Sequence, residues 1–152
     1  MDYAIDVTRT PIHLKTLAGE EIDATVFVHP VGHADYRPES VGDRLNDPET
    51  EFLPCEIDGE SFLVRLESIS YAVMTEPVPE VASMDTVGAI RSPVELQMKS
   101  ADWLRGDLIY EAERGEERVS DMLNRSHGRF LVLRDGDKTY FVLRDAVDRV
   151  RL

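Results

Sequence analysis

The sequence contains an internal repeat, and this repeat limits the possible folds more than any other feature. Seven residues of the first half recur in the same order 78 residues later. The matched residues are Val41 with Val119, Asp43 with Asp121, Leu45 with Leu123, Asn46 with Asn124, Phe52 with Phe130, Leu53 with Leu131 and Val64 with Val142. Upstream, Pro11-Ile12 matches Pro93-Val94 at an offset of 82, which places a four-residue insertion in the first copy. The sequence therefore predicts two homologous units of about 65 residues each.

Each unit has the pattern of short strands. Ile12–Lys15 and Val94–Met98 alternate apolar and polar residues, which is typical of a strand with one buried face. Later in each unit two apolar runs flank Asp58-Gly59 or Asp135-Gly136, and such dipeptides predict tight hairpins. A short helix is expected before each hairpin, because apolar residues there are spaced by three and four. These helices are predicted over Ser40–Asn46 and Val119–Asn124.

These elements predict a mainly β protein with two tandem barrels. Each unit is expected to have five strands, with the short helix before the third. Five short strands are too few for two packed sheets, but they can close into a small, strongly bent barrel, which removes most free edges. The fourth and fifth strands of each barrel are then the natural edges. Two barrels in one chain can pair these edges with each other or with a second chain.

The order of these parts resembles the Sm-like class of small SH3-type barrels. The two halves of that fold are similar to the segments Pro93 to Leu108 and Tyr140 to Val147. More narrowly, Glu117–Asn124 followed by Phe130–Leu133 is similar to a bacterial domain of unknown function. The resemblance implies a small barrel and a tendency to pair edge strands between barrels.

The resemblance also raises an RNA- or nucleotide-associated Sm-like protein as an alternative function, and the sequence disfavours RNA binding. Sm-like proteins bind bases through an Asp-x-x-Met-Asn element and an Arg-Gly corner. Here Asp43–Asn46 and Asp121–Asn124 are one residue shorter, and the corners Arg65–Ser68 and Arg144–Ala146 have no glycine. The formal net charge of −13 also opposes binding to a phosphate backbone.

The charge is concentrated in the first copy. Residues 1–75 carry 15 acidic and 5 basic side chains, a net of −10, whereas residues 91–152 carry 12 of each. Residues 76–90 add three acidic side chains and include Pro77 and Pro79, the spacing of an extended linker. The predicted organisation is a first barrel over residues 1–75 with an inserted loop at 29–40, a linker over 76–90, and a second barrel over 91–152.

The inserted loop is the one segment with specialised composition. One interpretation is a long solvated loop whose polar residues reach water or the neighbouring barrel. In the other, five of its residues form a partner-binding surface: His29, His33, Asp35, Tyr36 and Arg37. A less favoured alternative is a metal-dependent enzyme, since two of the histidines and the carboxylate are natural zinc or iron ligands. Histidines four residues apart converge by geometry only on a helix, and Pro30 and Gly32 oppose a helix. We therefore assign no metal, cofactor or catalytic residue.

Three further positions have chemical potential. Arg125, His127 and Arg129 form the most basic turn of the chain. We interpret it as a solvated loop or a salt bridge to the acidic copy, with a contact to an anion as the alternative. Cys55 stands beside Glu56, which opposes thiolate formation, so we interpret it as a small buried side chain. Trp103 is expected in the core of the second barrel.

The remaining features predict a cytoplasmic protein without a membrane partner. The longest apolar runs, such as Phe130–Leu133, are far shorter than the roughly 20 residues of a membrane span. The start of the chain lacks the basic and apolar character of a secretion signal, and a single cysteine fits a reducing compartment. The expected function is a non-enzymatic interaction or assembly module that binds a protein partner or forms a homo-oligomer through its edge strands.

Overall fold

The computed structural model describes residues 8–28, 40–75, 89–111, 118–125 and 128–152. These residues form a mainly β structure, as predicted, with ten strands in one antiparallel sheet that is not closed. The strands are β1 (Thr8–Thr16), β2 (Glu21–Val28), β3 (Phe52–Ile57), β4 (Glu60–Arg65), β5 (Ile69–Met74), β6 (Ala89–Met98), β7 (Trp103–Glu111), β8 (Phe130–Asp135), β9 (Lys138–Leu143) and β10 (Val147–Arg151). Two short helices are present at the predicted positions, α1 (Val41–Leu45) and α2 (Val119–Arg125).

The strand order repeats in the two halves of the chain. Along the sheet the order is β10-β6-β7-β8-β9-β5-β1-β2-β3-β4. The first half follows the order fifth, first, second, third, fourth, and the second half follows the same order. The halves meet where β5 pairs with β9, which leaves β4 and β10 at the two ends of the sheet. The two halves share one continuous sheet and do not form separate sheets. The division into two barrels therefore stays a prediction.

The two hairpins use different turns for a reason visible in the sequence. Between β3 and β4, Asp58 and Gly59 both have positive φ, 51° and 78°, as a type I′ turn requires. In the second hairpin Asp135 pairs with Lys138, so the turn is Gly136-Asp137, one residue later than predicted. Gly136 has a φ of 60°, which suits glycine at the first position of a type II′ turn.

Alternating residues of the strands form one continuous buried cluster to which both halves contribute. In β2, for example, Ala24, Val26 and Val28 are buried and the residues between them are not. The same alternation shows that the core prediction for Trp103 is wrong. Leu104 takes the buried position at the start of β7, so Trp103 faces outwards and is 45% exposed.

Candidate interaction surface

The joint between the two halves is a strand pair that both halves help to bury. The antiparallel register aligns Tyr71 with Val142, Ala72 with Phe141, Val73 with Tyr140 and Met74 with Thr139. Ala72 and Phe141 are fully buried, and the rings of Tyr71 and Tyr140 lie 5.9 Å apart on the other face. The joint therefore combines backbone pairing with apolar packing, the two sources of stability in a sheet.

A side-chain clamp adds to this joint. Ser40 and Asp43 form a capping box, which begins α1 and places Asn46 at its other end. The Asn46 Oδ1 accepts a hydrogen bond of 2.8 Å from the Phe130 N–H, and its Nδ2 lies 3.4 Å from the Phe130 carbonyl oxygen. A first-half side chain thus hydrogen bonds to the first residue of β8 in the second half.

The position next to this clamp requires glycine. Gly128 has a φ of 121°, and a Cβ added there would lie 3.2 Å from the Asn46 Oδ1. Both its backbone conformation and its distance from Asn46 therefore disfavour any side chain.

Arg129, one of the predicted anion-contact residues, is engaged at the joint. Its Nη1 donates a hydrogen bond of 2.8 Å to the Thr50 carbonyl of the first half. Asp47 lies close by, and its pKa is lowered first by hydrogen bonds from Glu49 and Thr50 and further by the charges of Arg44 and Arg129. The basic turn therefore contacts the acidic half through Arg129. Arg125 lies exposed at the end of α2, and His127 is outside the described residues.

The first free end of the sheet is apolar. β4 is exposed along almost its whole length, with Leu63 67% and Phe62 44% exposed. Beside it, the exposed Phe52 lies under the guanidinium of Arg65, 4.4 Å from the ring centre. Arg65 also donates a hydrogen bond of 2.8 Å to Glu51. An exposed apolar edge strand is a surface that readily pairs with another strand.

The second free end is charged. β10 exposes Asp148, Arg149 and Arg151, and the Arg151 guanidinium lies 4.9 Å from the Trp103 ring centre. Arg151 also bonds to Glu95 at 2.9 Å. Among the described residues six large apolar side chains are exposed, and five lie at these two ends. The five are Phe52, Phe62, Leu63, Trp103 and Leu152. In the described part of the chain, the exposed apolar side chains are therefore concentrated on or near the two terminal strands of the sheet.

A groove of about 490 Å³ lies across the second half next to β10. Its charged lining residues are Glu95, Arg105, Asp107, Arg134, Asp135 and Arg151. Three positive and three negative side chains give the groove no preference for an anion or a cation.

Several predicted site residues lie outside the described residues: His29, His33, Asp35, Tyr36 and Arg37 of the inserted loop. Among the residues that the structure does describe, there is no group of three or more metal-ligating side chains. Cys55 is buried as predicted, and burial raises the pKa of its thiol. In the same described ranges, neither helix has the length and apolar character needed to cross a bilayer.

Comparison with known proteins identifies no relative. No family model, no curated protein and no solved structure matches the chain.

Sequence reasoning identified the fourth and fifth strands as edges but missed the residues that distinguish the two kinds of edge. The resemblance places Asn46 in a base-binding element, whereas in the structure its side chain accepts a hydrogen bond from the Phe130 N–H. Leu63 received no role, although the 78-residue repeat matches it with Phe141. Alignment of the two repeats was thus the sequence signal that could have identified Leu63 as an edge residue.

Proposed function

We propose that this protein is a non-enzymatic assembly module built on two small five-stranded barrels. Its free sheet ends would accept further β-strands from a protein partner or from a second copy of the chain. Both halves follow the same strand order, which supports the two-unit architecture. The acidic surface and the inserted loop of the first half would complete the partner-facing side.

One observation carries the proposal. β4 and β9 are equivalent strands in the repeat, yet β9 is buried against β5 and β4 is exposed. Leu63 occupies the place of Phe141 and keeps an apolar side chain there, although no strand of the described residues covers it. Exposed apolar residues on a free edge with unpaired backbone groups are the features used in strand addition.

The RNA-associated alternative has less support from the structure. The Asn46 amide, the nearest match to a base-binding group, already bonds to both backbone groups of Phe130. The acidic first half would also repel a phosphate backbone.

A labelled peptide with the sequence of residues 67–75, which contain β5, tests strand addition at β4. We expect saturable binding by fluorescence anisotropy at protein concentrations where the chain is monomeric, or dissociation of any assembly by the same peptide. A peptide N-methylated at alternate backbone amides should not bind, because it cannot complete the ladder. The Leu63→Lys protein is the matched control and should bind at least about tenfold more weakly.

The proposal fails if the unmodified and the N-methylated peptides bind equally, or if neither binds nor disrupts an assembly at millimolar concentration. A peptide that binds equally well to the Leu63→Lys protein would show that β4 is not the site.

A further inference from the structure

The joint inside the chain defines what fits on its free ends. Moving β9 back by 78 residues gives β4, and moving β5 forward by 78 residues gives β10. The two strands at the ends of the sheet are therefore the repeat equivalents of the two strands that already pair in the middle.

We propose that the strand that covers β4 is β10 of a second copy of this chain, so that chains join head to tail. This inference rests on the proposed function and names its partner. The register of the internal joint, transferred by the repeat, aligns Val150 of one chain with Leu63 of the next. This pair of Val150 and Leu63 is the repeat equivalent of the buried Ala72–Phe141 pair within the chain.

Neighbouring residues in this register are chemically complementary. Asp148 lies opposite Arg65, an acidic residue against a basic one. Arg151 lies opposite Phe62, and arginine already stacks on aromatic rings twice at these ends, on Phe52 and on Trp103. Apolar, ionic and cation–π pairs each stabilise cross-strand contacts.

The side-chain clamp is also repeated. Asn124 of α2 is the equivalent of Asn46, and the exposed Phe52 is the equivalent of the buried Phe130. In the head-to-tail arrangement Asn124 of one chain reaches the backbone of Phe52 in the next, as Asn46 reaches Phe130 within the chain. Strand pairing and clamp therefore predict the same partner surface.

The charge of β10 favours this arrangement over pairing of two β10 ends. Each β10 carries two arginines and one aspartate, so two β10 strands would meet with a net positive charge on both sides, and like charges repel. Contact between different ends leaves one free end of each kind, so repetition produces a ring or an open fibre rather than an isolated pair.

Charge exchange tests the register. Asp148→Arg and Arg65→Asp each place like charges in the pair, and each variant alone should associate about tenfold more weakly than the unaltered chain. An equimolar mixture of the two variants should associate again, because a basic residue of one variant can then face an acidic residue of the other at every contact. Sedimentation velocity measures the association, and thermal unfolding of each dilute variant verifies folding. Failure of the mixture to recover contradicts the register.

Cross-linking tests the contact directly in a Cys55→Ala background. With Leu63→Cys and Val150→Cys together, mild oxidation should produce a ladder of chain multiples, because opposite residues of an antiparallel pair lie within disulfide reach. Leu63→Cys with Arg149→Cys is the matched control and should cross-link poorly, since Arg149 points to the other face. A covalent dimer from Leu63→Cys alone would instead show pairing between two β4 strands and overturn the proposal.

The outcomes separate this inference from the proposed function. A chain that stays monomeric at high micromolar concentration and still binds the β5 peptide contradicts self-association alone. A chain that neither associates nor binds the peptide overturns both.

Discussion

The internal joint and the free ends of the sheet contain equivalent strands in opposite environments. Phe141 in β9 is fully buried, whereas Leu63, its equivalent in β4, is 67% exposed. The hairpins that hold them have the same strand lengths and the same pairing. The difference therefore comes from the second neighbouring strand: β9 has β5 on its other side, whereas within the described residues β4 has none there.

The other pair of equivalents shows a difference in sequence. β5 has Ser70, Tyr71 and Val73 where β10 has Asp148, Arg149 and Arg151. Charged residues on an edge strand limit indiscriminate pairing with other sheets. In a single chain the apolar edge β4 can therefore pair with many strands, whereas the charged edge β10 restricts which strands can pair with it.

The largest effect is expected from truncation of the apolar residue in each kind of edge. Phe141→Ala should lower the free energy of unfolding by about 3 to 5 kcal/mol, because it leaves a cavity in a closed joint. Leu63→Ala should change it by no more than about 0.5 kcal/mol in the dilute, monomeric chain. Urea unfolding of both variants measures the difference. Equal losses would show that β4 is covered in the single chain.

The clamp provides the second comparison. Asn46→Ala removes the acceptor for the Phe130 N–H and should cost about 1 to 2 kcal/mol in stability. Asn124→Ala, the matched change on the exposed side, should cost about 0.5 kcal/mol or less in the dilute chain. Chemical denaturation followed by tryptophan fluorescence measures both. If only Asn124→Ala lowers the stability of the chain, the assignment of Asn46 as the clamp residue is wrong.

A hydroxyl at the joint gives a smaller effect with the opposite sign. Thr139 is buried, and within the described residues its Oγ1 has no hydrogen-bond partner. Thr139→Val keeps the shape and removes the desolvated hydroxyl, so stability should rise by about 1 kcal/mol. The equivalent change Ser61→Ala, on the exposed β4, should be neutral within about 0.5 kcal/mol. Thermal unfolding compares the two, and destabilisation by Thr139→Val would indicate a bonded hydroxyl.

The smallest effect is a pH dependence of the joint. Burial raises the pKa of Tyr71 above its ordinary value near 10, and the charges of Asp102 and Glu21 and the proximity of Tyr140 add to the rise. Because the folded chain holds this proton more tightly than the unfolded chain, stability should fall as the pH rises above 10. Tyr71→Phe should flatten this decline, as measured by urea unfolding between pH 9 and 11. If the free energy of unfolding falls with pH equally steeply in the Tyr71→Phe variant, a group other than Tyr71 causes the loss of stability at alkaline pH.

Much of the fold was predictable because local signals agree with one another. The hairpins follow from turn residues between apolar runs, and the two short helices lie at the positions that the apolar spacing predicts. Trp103 is an exception: it is predicted in the core, but in β7 Leu104 takes the buried position and Trp103 faces outwards. The role of Asn46 was not predictable, since its partner Phe130 lies 84 residues away.

The sequence by itself determined the strand periodicity and the turns, because both depend on residue types at short spacing. It also determined the repeat and the asymmetric charge, because both are visible when the two halves of the sequence are compared. Only the tertiary structure decided which edges pair. Every residue but proline offers a strand edge the same backbone donor and acceptor, so pairing depends on which edges the folded chain brings together. That placement joins β5 to β9 and leaves β4 and β10 exposed, and this arrangement defines the surface on which the proposed assembly depends.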